Sequence, residues 1–225
     1  MIFIAELGLN HNGNFSLCYE LIKQAKYAGA NIVKFQLGWK GKKGEINYFS
    51  EENLYQLKKW ADYFEVDLMF SIFDIKFINW VKRLNLKYVK VASRISKNDE
   101  ELTKKIIKLN KTTFISLGMH PPKIFPKFKT GKNVFFMWCK SKYPTNLEDL
   151  KYFPKNFVGT KYKGYSDHSI GVENCLLAIS RGATIIEKHF TLDKSDNTIR
   201  DNALSATPNE FRLLVEIGSD ISKKI

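Results

Sequence analysis

The sequence predicts an α/β protein, a (β/α)8 TIM barrel folded as a single domain over residues 1–225. Short apolar β-type runs alternate with helical patterns along the whole chain, which argues for a parallel sheet with helices outside. Eight such runs are present, the number that closes into this barrel. A faint internal echo supports it. Gly29-Ala30-Asn31-Ile32-Val33-Lys34-Phe35-Gln36 resembles Gly182-Ala183-Thr184-Ile185-Ile186-Glu187-Lys188-His189. In each, a helix ends at glycine and a strand turns polar at its finish. An open doubly wound sheet is the competing architecture, weakened by the lack of a Gly-rich phosphate fingerprint after the first strand. At 225 residues the chain is lean for a fold that typically has about 250.

The elements follow in order. Residues 2–7 read as a strand and 16–28 as a helix, with Leu17, Leu21, Ala25 and Ala28 on one face and Gly29 ending it. A strand over 31–37 precedes a helix marked by Leu54, Leu57, Ala61 and Phe64. Strands over 66–73, 88–93 and 112–117 alternate with helices over 77–84 and 99–109. The proline-rich stretch 121–126 is a poor helix. A strand over 134–139 leads to a short helix near 147–152. The chain closes with a strand over 163–167, a helix over 172–181, a strand over 184–190 and a helix over 209–219.

Composition narrows the function. Lys and Arg number 36 against 23 Asp and Glu, a net charge of +13 that attracts anions in general. The lysines are spread along the chain with no dense basic run and no nucleic-acid motif, so most read as solvated exterior and no nucleic acid is expected as a partner. The three cysteines, Cys18, Cys139 and Cys175, have neither zinc-finger nor redox spacing, which suits reduced thiols in a cytoplasmic protein. The start lacks the positive charge and long apolar centre of a signal peptide, with Glu6 interrupting it, so none is expected, and no apolar run approaches the ~18 residues of a membrane span.

Charges inside strands need a reason. Glu6, Lys34, Lys90, Glu187 and His189 all break the apolar pattern, and at the carboxyl rim of a barrel such residues read as functional. The plain alternative is a structural salt-bridge layer, such as Lys34 with Glu187. Two of only four histidines, His168 and His189, finish apolar runs and could hold a divalent metal, with water and substrate oxygens completing the site. Core hydrogen bonding is their other reading. Lys34 and Lys90 could grip a phosphate or carboxylate, with hydroxyls from Ser93, Ser116 and Ser166 on the same anion. Glu6, just ahead of an Asn/Gly-rich turn, could act as a general base. His11 reads as a loop-ordering residue and His120 as peripheral.

Several ordered segments resemble one family. Ile4 to Gly13, Val33-Lys34-Phe35-Gln36, Lys90-Val91-Ala92-Ser93, Ser116-Leu117-Gly118-Met119, Tyr143-Pro144-Thr145, Gly164 to Gly171 and Ile186 to Asp193 are similar to the sialic acid synthase (N-acetylneuraminate synthase) family. The resemblance runs from residue 4 to about 215. It implies a (β/α)8 barrel that condenses phosphoenolpyruvate with an N-acetylated amino-sugar aldehyde, N-acetylmannosamine or a related hexosamine. It also implies a divalent metal, manganese first, with magnesium or cobalt as alternatives. Carried over by position, His168 and His189 resemble the metal ligands. Lys34, Lys90, Ser93, Ser116 and Ser166 resemble the phosphoenolpyruvate contacts. Glu6, Gln36, Tyr143 and Asp201 resemble residues around the sugar and the reacting atoms, with Glu6 and Asp201 as the catalytic pair.

The resemblance has departures. A family glutamate is replaced by Ile95, an asparagine by Ser141, here counted with the substrate-binding residues, and a histidine by Asn202. The family often carries a C-terminal antifreeze-like domain that lends an arginine to the neighbouring subunit, and the resemblance covers the barrel alone. The donor and metal half is therefore expected to be kept and the acceptor half altered. A diacetamido sugar of the legionaminic or pseudaminic type is then open as acceptor. A homodimer is compatible with the resemblance. The alternative function is a catalytically weak or inactive barrel that binds sugar or metal in a surface-glycan pathway.

Overall fold

The structure is a computed structural model that describes residues 1–122, 124–128 and 130–225. Eight parallel strands close into a barrel in chain order. They are β1 (Ile2–Glu6), β2 (Ile32–Leu37), β3 (Asp67–Ile72), β4 (Tyr88–Val91), β5 (Thr112–Ser116), β6 (Val134–Cys139), β7 (Tyr162–Asp167) and β8 (Ile185–His189). The helices are α1 (Leu17–Tyr27), α2 (Glu51–Tyr63), α3 (Ile78–Arg83), α4 (Ser93–Asn98), α5 (Glu100–Ile107), α6 (Glu173–Ser180) and α7 (Pro208–Ser222). The expected fold class is the observed one.

Alternation along each strand sorts the side chains into two cores. Inward residues of the lower barrel, Ile4, Ile32, Met69, Phe114, Met137 and Ile185, form an apolar plug. Outward residues such as Phe3, Ala5, Val33, Phe35, Phe70 and Val89 pack against the helices in a larger cluster. Both faces of most strands are therefore buried, which is why the sequence shows short continuous apolar runs. Above the plug the inward positions turn polar, and the site begins there.

Three local features differ from the sequence expectations. The strand expected over 88–93 ends at Val91, and Ser93 opens α4, a helix the sequence pattern does not show. Its buried face is Ser93, Ile95 and Ser96, and the Ser96 hydroxyl donates to the carbonyls of Ser93 (3.0 Å) and Ser116 (2.9 Å). Serines fill the place of an apolar stripe, so the helical period is hidden. The helix expected over 77–84 begins as a 3-10 turn, Ile75–Phe77, capped by Asp74, and the one near 147–152 is a 3-10 turn, Leu147–Leu150. In the proline-rich stretch, Lys123 lies outside the described residues, and no helix occupies the rest of it.

Among the described residues, no helix is long and apolar enough to cross a membrane. The three cysteines are free and buried.

Candidate active site

The carboxyl ends of the strands meet in one pocket. All of the candidate residues line it: Glu6, Lys34, Gln36, Lys90, Ser93, Ser116, Ser141, Tyr143, Ser166, His168, His189 and Asp201. The two strands of the internal echo deliver Lys34 and Gln36 on one side and Glu187 and His189 on the other, all into this pocket.

The floor is a charged layer. Glu6 and Lys34 are neighbours across the β1–β2 ladder, and Lys34 Nζ contacts Glu6 Oε2. Gln36 Nε2 donates to Glu6 Oε1 at 2.7 Å. Glu187 receives Lys90 Nζ at 2.8 Å and the Ser166 hydroxyl at 2.7 Å, and Lys34 Nζ stands 3.9 Å away. The salt-bridge layer proposed as the plain alternative thus exists, and it is also the lining of the pocket. Burial raises the Glu6 carboxyl above its ordinary range, with Lys34 opposing and Glu187 reinforcing the shift. Burial acts the same way on Glu187, but Lys34 and Lys90 overcome it and hold the group down to about 2. Burial pushes Lys90 below the usual lysine range despite Glu187, whereas for Lys34 the same effect of burial is outweighed by Glu187 and Glu6, which keep it above that range.

The serines are not equivalent. Ser116 Oγ is buried with no hydrogen-bond partner. Ser93 Oγ accepts from the Gly118 N–H at 3.0 Å and lies 3.0 Å from Cys139 Sγ. Backbone also crowds the site. Gly8 follows β1 with φ +40, and a Cβ there would stand 2.8 Å from Glu6 Oε1, so glycine keeps the Glu6–Gln36 pair undisturbed.

Above the floor stand the two imidazoles, with ring centroids 5.7 Å apart. A metal–nitrogen bond of about 2.1 Å puts an ion roughly 3.2 Å from a ring centroid, so sharing one requires rings within about 6.4 Å, a condition this pair meets. The His168 Nδ1 hydrogen donates to the Lys140 carbonyl at 2.7 Å, an assignment fixed by that acceptor, which leaves Nε2 as the basic nitrogen. His189 Nδ1 is buried with no partner. Burial lowers both rings, His189 to about 3, so both are neutral and able to act as ligands at pH 7. Tyr143 lies over His168 at 4.2 Å and edge-on to His189 at 6.1 Å. Among the described residues no three His, Cys, Asp or Glu side chains converge as a metal site, so the donor set fits an ion completed by water and substrate oxygens. Asp201, with a buried unpartnered Oδ1, lines the same pocket and opposes the effect of burial on His189.

Other lining residues carry little signal of their own in the sequence. Ser71 accepts from Lys34 Nζ at 3.1 Å and could have been read as a hydroxyl ending an apolar strand. Trp39, Arg94 and Arg200 arrive on connecting segments or at a helix start, where no period marks them, and Phe73 and Met119 lie just past β3 and β5. The Arg94 guanidinium sits 4.3 Å from the Trp39 ring centroid, and Arg200 lies 3.7 Å from Asp201. Ile95 packs into the outer apolar cluster instead of lining the pocket. Asn202 is buried and donates to the Asp196 carbonyl at 2.8 Å. His11 bonds Asn47 at 3.1 Å and His120 bonds Ser96 at 3.2 Å, both outside the pocket lining.

The profile of the NeuB family matches residues 42–225. The chain belongs to the NeuB family. Pseudaminic acid synthase of Campylobacter jejuni (strain 81-176) is 34% identical over 251 residues, covering 96% of this chain and 72% of that one. N,N'-diacetyllegionaminic acid synthase of Campylobacter jejuni (strain NCTC 11168) is 30% identical, covering 95% and 74%. The N-acetylneuraminic acid (sialic acid) synthetase of Leptospira borgpetersenii, solved in complex with citrate, superimposes with a TM-score of 0.88 at 29% identity, covering 99% of this chain and 84% of that one. The resemblance in the motifs thus extends to the family and to the fold of the NeuB barrel.

Proposed function

We propose that this NeuB barrel condenses phosphoenolpyruvate with the open-chain aldehyde of an N-acetylated amino sugar, giving a nine-carbon 2-keto acid of the sialic acid type and phosphate. The carrying observation is the layout of the pocket: two neutral imidazoles within reach of one ion, directly above a floor of two lysines and three serine hydroxyls. The similar synthases of pseudaminic, diacetyllegionaminic and sialic acids support the product class.

The residues divide the work. Lys34 and Lys90, with Ser93, Ser116 and Ser166, hold the carboxylate and phosphate of the donor. Ser116 Oγ, buried and unpartnered, gains a hydrogen bond when the donor arrives. The donor's methylene carbon then forms the new bond to the aldehyde carbon, and holding both reactants in one pocket makes that step effectively unimolecular. Manganese bound by His168 and His189 would supply Lewis-acid polarisation of the aldehyde oxygen. Water adds at the donor carbon bearing phosphate. Its proton passes to Glu6, whose carboxyl is raised by burial and so accepts a proton more readily than an ordinary glutamate. The tetrahedral carbon's hydroxyl yields its remaining proton to the departing phosphate as that carbon becomes the ketone, while Glu6 returns the proton it took to the aldehyde oxygen, which becomes the new hydroxyl. Asp201, Gln36, Ser141 and Tyr143 face the acceptor, and Asp201 orients its hydroxyls.

The test is phosphate release from phosphoenolpyruvate with manganese and a panel of N-acetylmannosamine, diacetamido hexoses and their phosphates. Release with one acceptor and none without acceptor is expected. Donor and manganese binding with no release from any member of the panel would replace the proposal with a binding barrel.

A further inference from the structure

One buried ion pair has no task in this chemistry. Asp167 and Lys188 are fully buried and 2.6 Å apart. They lie on the outward faces of β7 and β8, opposite one another on the last rung of that ladder. Tyr165 and Cys175 of the outer apolar cluster adjoin them, and the helix α6 covers them. The Asp167 carboxylate also accepts from the Tyr165 hydroxyl (2.6 Å), the Ser169 N–H (2.9 Å) and the Ser169 hydroxyl (2.7 Å). Lys188 donates a second bond to the Ser169 carbonyl. Asn174 of α6 donates to the Ser169 hydroxyl at 3.0 Å.

Stability alone does not account for such a pair, because apolar replacement of a buried ion pair is often neutral or stabilising. Its position in the chain is informative. Asp167 immediately precedes His168, and Lys188 immediately precedes His189. Strand alternation sends each charge outward and each imidazole inward from adjacent residues. His168 has its own anchors, the Lys140 carbonyl and the Tyr143 ring. His189 Nδ1 has none, so its ring depends on where the backbone presents it.

We propose that the Asp167–Lys188 pair is a positioning device for the metal ligands. It locks the ends of β7 and β8 together from outside the barrel, so that the two rings inside stand at the separation one divalent ion requires. This rests on the metal reading given above. Groups that orient metal ligands typically change affinity by about 10–100-fold when removed.

The test uses the full chain and Mn2+ as the probe. A double variant, Asp167→Asn with Lys188→Met, removes both charges without leaving one unpaired. It should melt within about 5 °C of the native protein, yet bind Mn2+ about tenfold or more weakly in an electron paramagnetic resonance titration. In the metal-free protein, the ring 1H–15N resonances of His168 and His189 should broaden or double. Tyr165→Phe removes a single bond to Asp167, should weaken Mn2+ binding a few-fold, and decides the matter if the double variant does not fold. Native affinity together with unchanged ring resonances in the folded variants would overturn the proposal. If the native protein binds no Mn2+, the metal reading itself fails. The ring resonances then decide the positioning role, and unchanged signals reject it.

Discussion

Glu187 shows how much one residue carries. Its carboxylate faces Lys90, Lys34 and the Ser166 hydroxyl, all buried. Glu187→Gln leaves two buried ammonium groups with only Glu6 as a counter-charge. Breaking a buried pair in this way costs about 3–5 kcal/mol, whereas Ser166→Ala removes one hydrogen bond and costs about 1–3 kcal/mol. Urea unfolding of both variants should therefore rank Glu187→Gln as the more damaging, and equal midpoints would contradict the charged-floor account. His189→Ala has the opposite profile. Its ring caps no hydrogen-bond network through Nδ1, so the barrel should fold while Mn2+-dependent turnover is lost. Full activity in that variant would remove His189 from the ligand set. At this scale the sequence was informative wherever a polar residue interrupts an apolar strand, as at Glu6, Lys34, Lys90 and His189. It was silent for Arg94 and Trp39, which meet across two connecting segments and leave no local pattern.

Among the elements, β7 and β8 bear the greatest demands. Gly164 of β7 passes so close to β8 that an added Cβ would collide with the Ile185 carbonyl oxygen and side chain. Gly164→Ala should thus force the two strands apart beneath Ser166 and Glu187. A loss of at least about 2 kcal/mol is expected, in the range of overpacked core sites, and calorimetry showing a native melting temperature would refute it. The last helix provides a milder comparison. Thr207 and Glu210 cap α7 reciprocally, and Thr207→Ala should cost about 1 kcal/mol. Strand periods and the Gly29 and Gly182 stops made most elements legible. The α4 helix escaped notice because serine hydroxyls replace its apolar contacts, and the Asp167–Lys188 pair because alternation gives it an outward face where apolar residues are the rule.

For the whole molecule, the histidines set a pH dependence. All four, His11, His120, His168 and His189, have their values lowered mainly by burial. The unfolded chain therefore binds more protons than the folded one once pH drops below about 6.5, and stability falls as pH falls. His189, at about 3 in the fold, alone accounts for roughly 2 kcal/mol between pH 7.5 and pH 5 in the metal-free protein. Glu187 adds to the loss at lower pH, because its depressed value makes its contribution vanish as pH falls from about 4.5 toward about 2. Thermal melts of metal-free protein should shift down between pH 7.5 and pH 5, and a flat profile would contradict the burial of these rings. The barrel itself was legible from eight alternating units. The gathering of all the candidate residues into one pocket required closure of the ring, which no local segment encodes.

The most direct measurement is an anomalous-scattering crystal structure of the protein soaked with Mn2+ and phosphoenolpyruvate. One manganese peak is expected within bonding distance of a ring nitrogen of both His168 and His189, with the donor beside it on Lys34, Lys90 and Ser116. A manganese peak away from that pair of rings, or a donor bound outside this pocket, would contradict it.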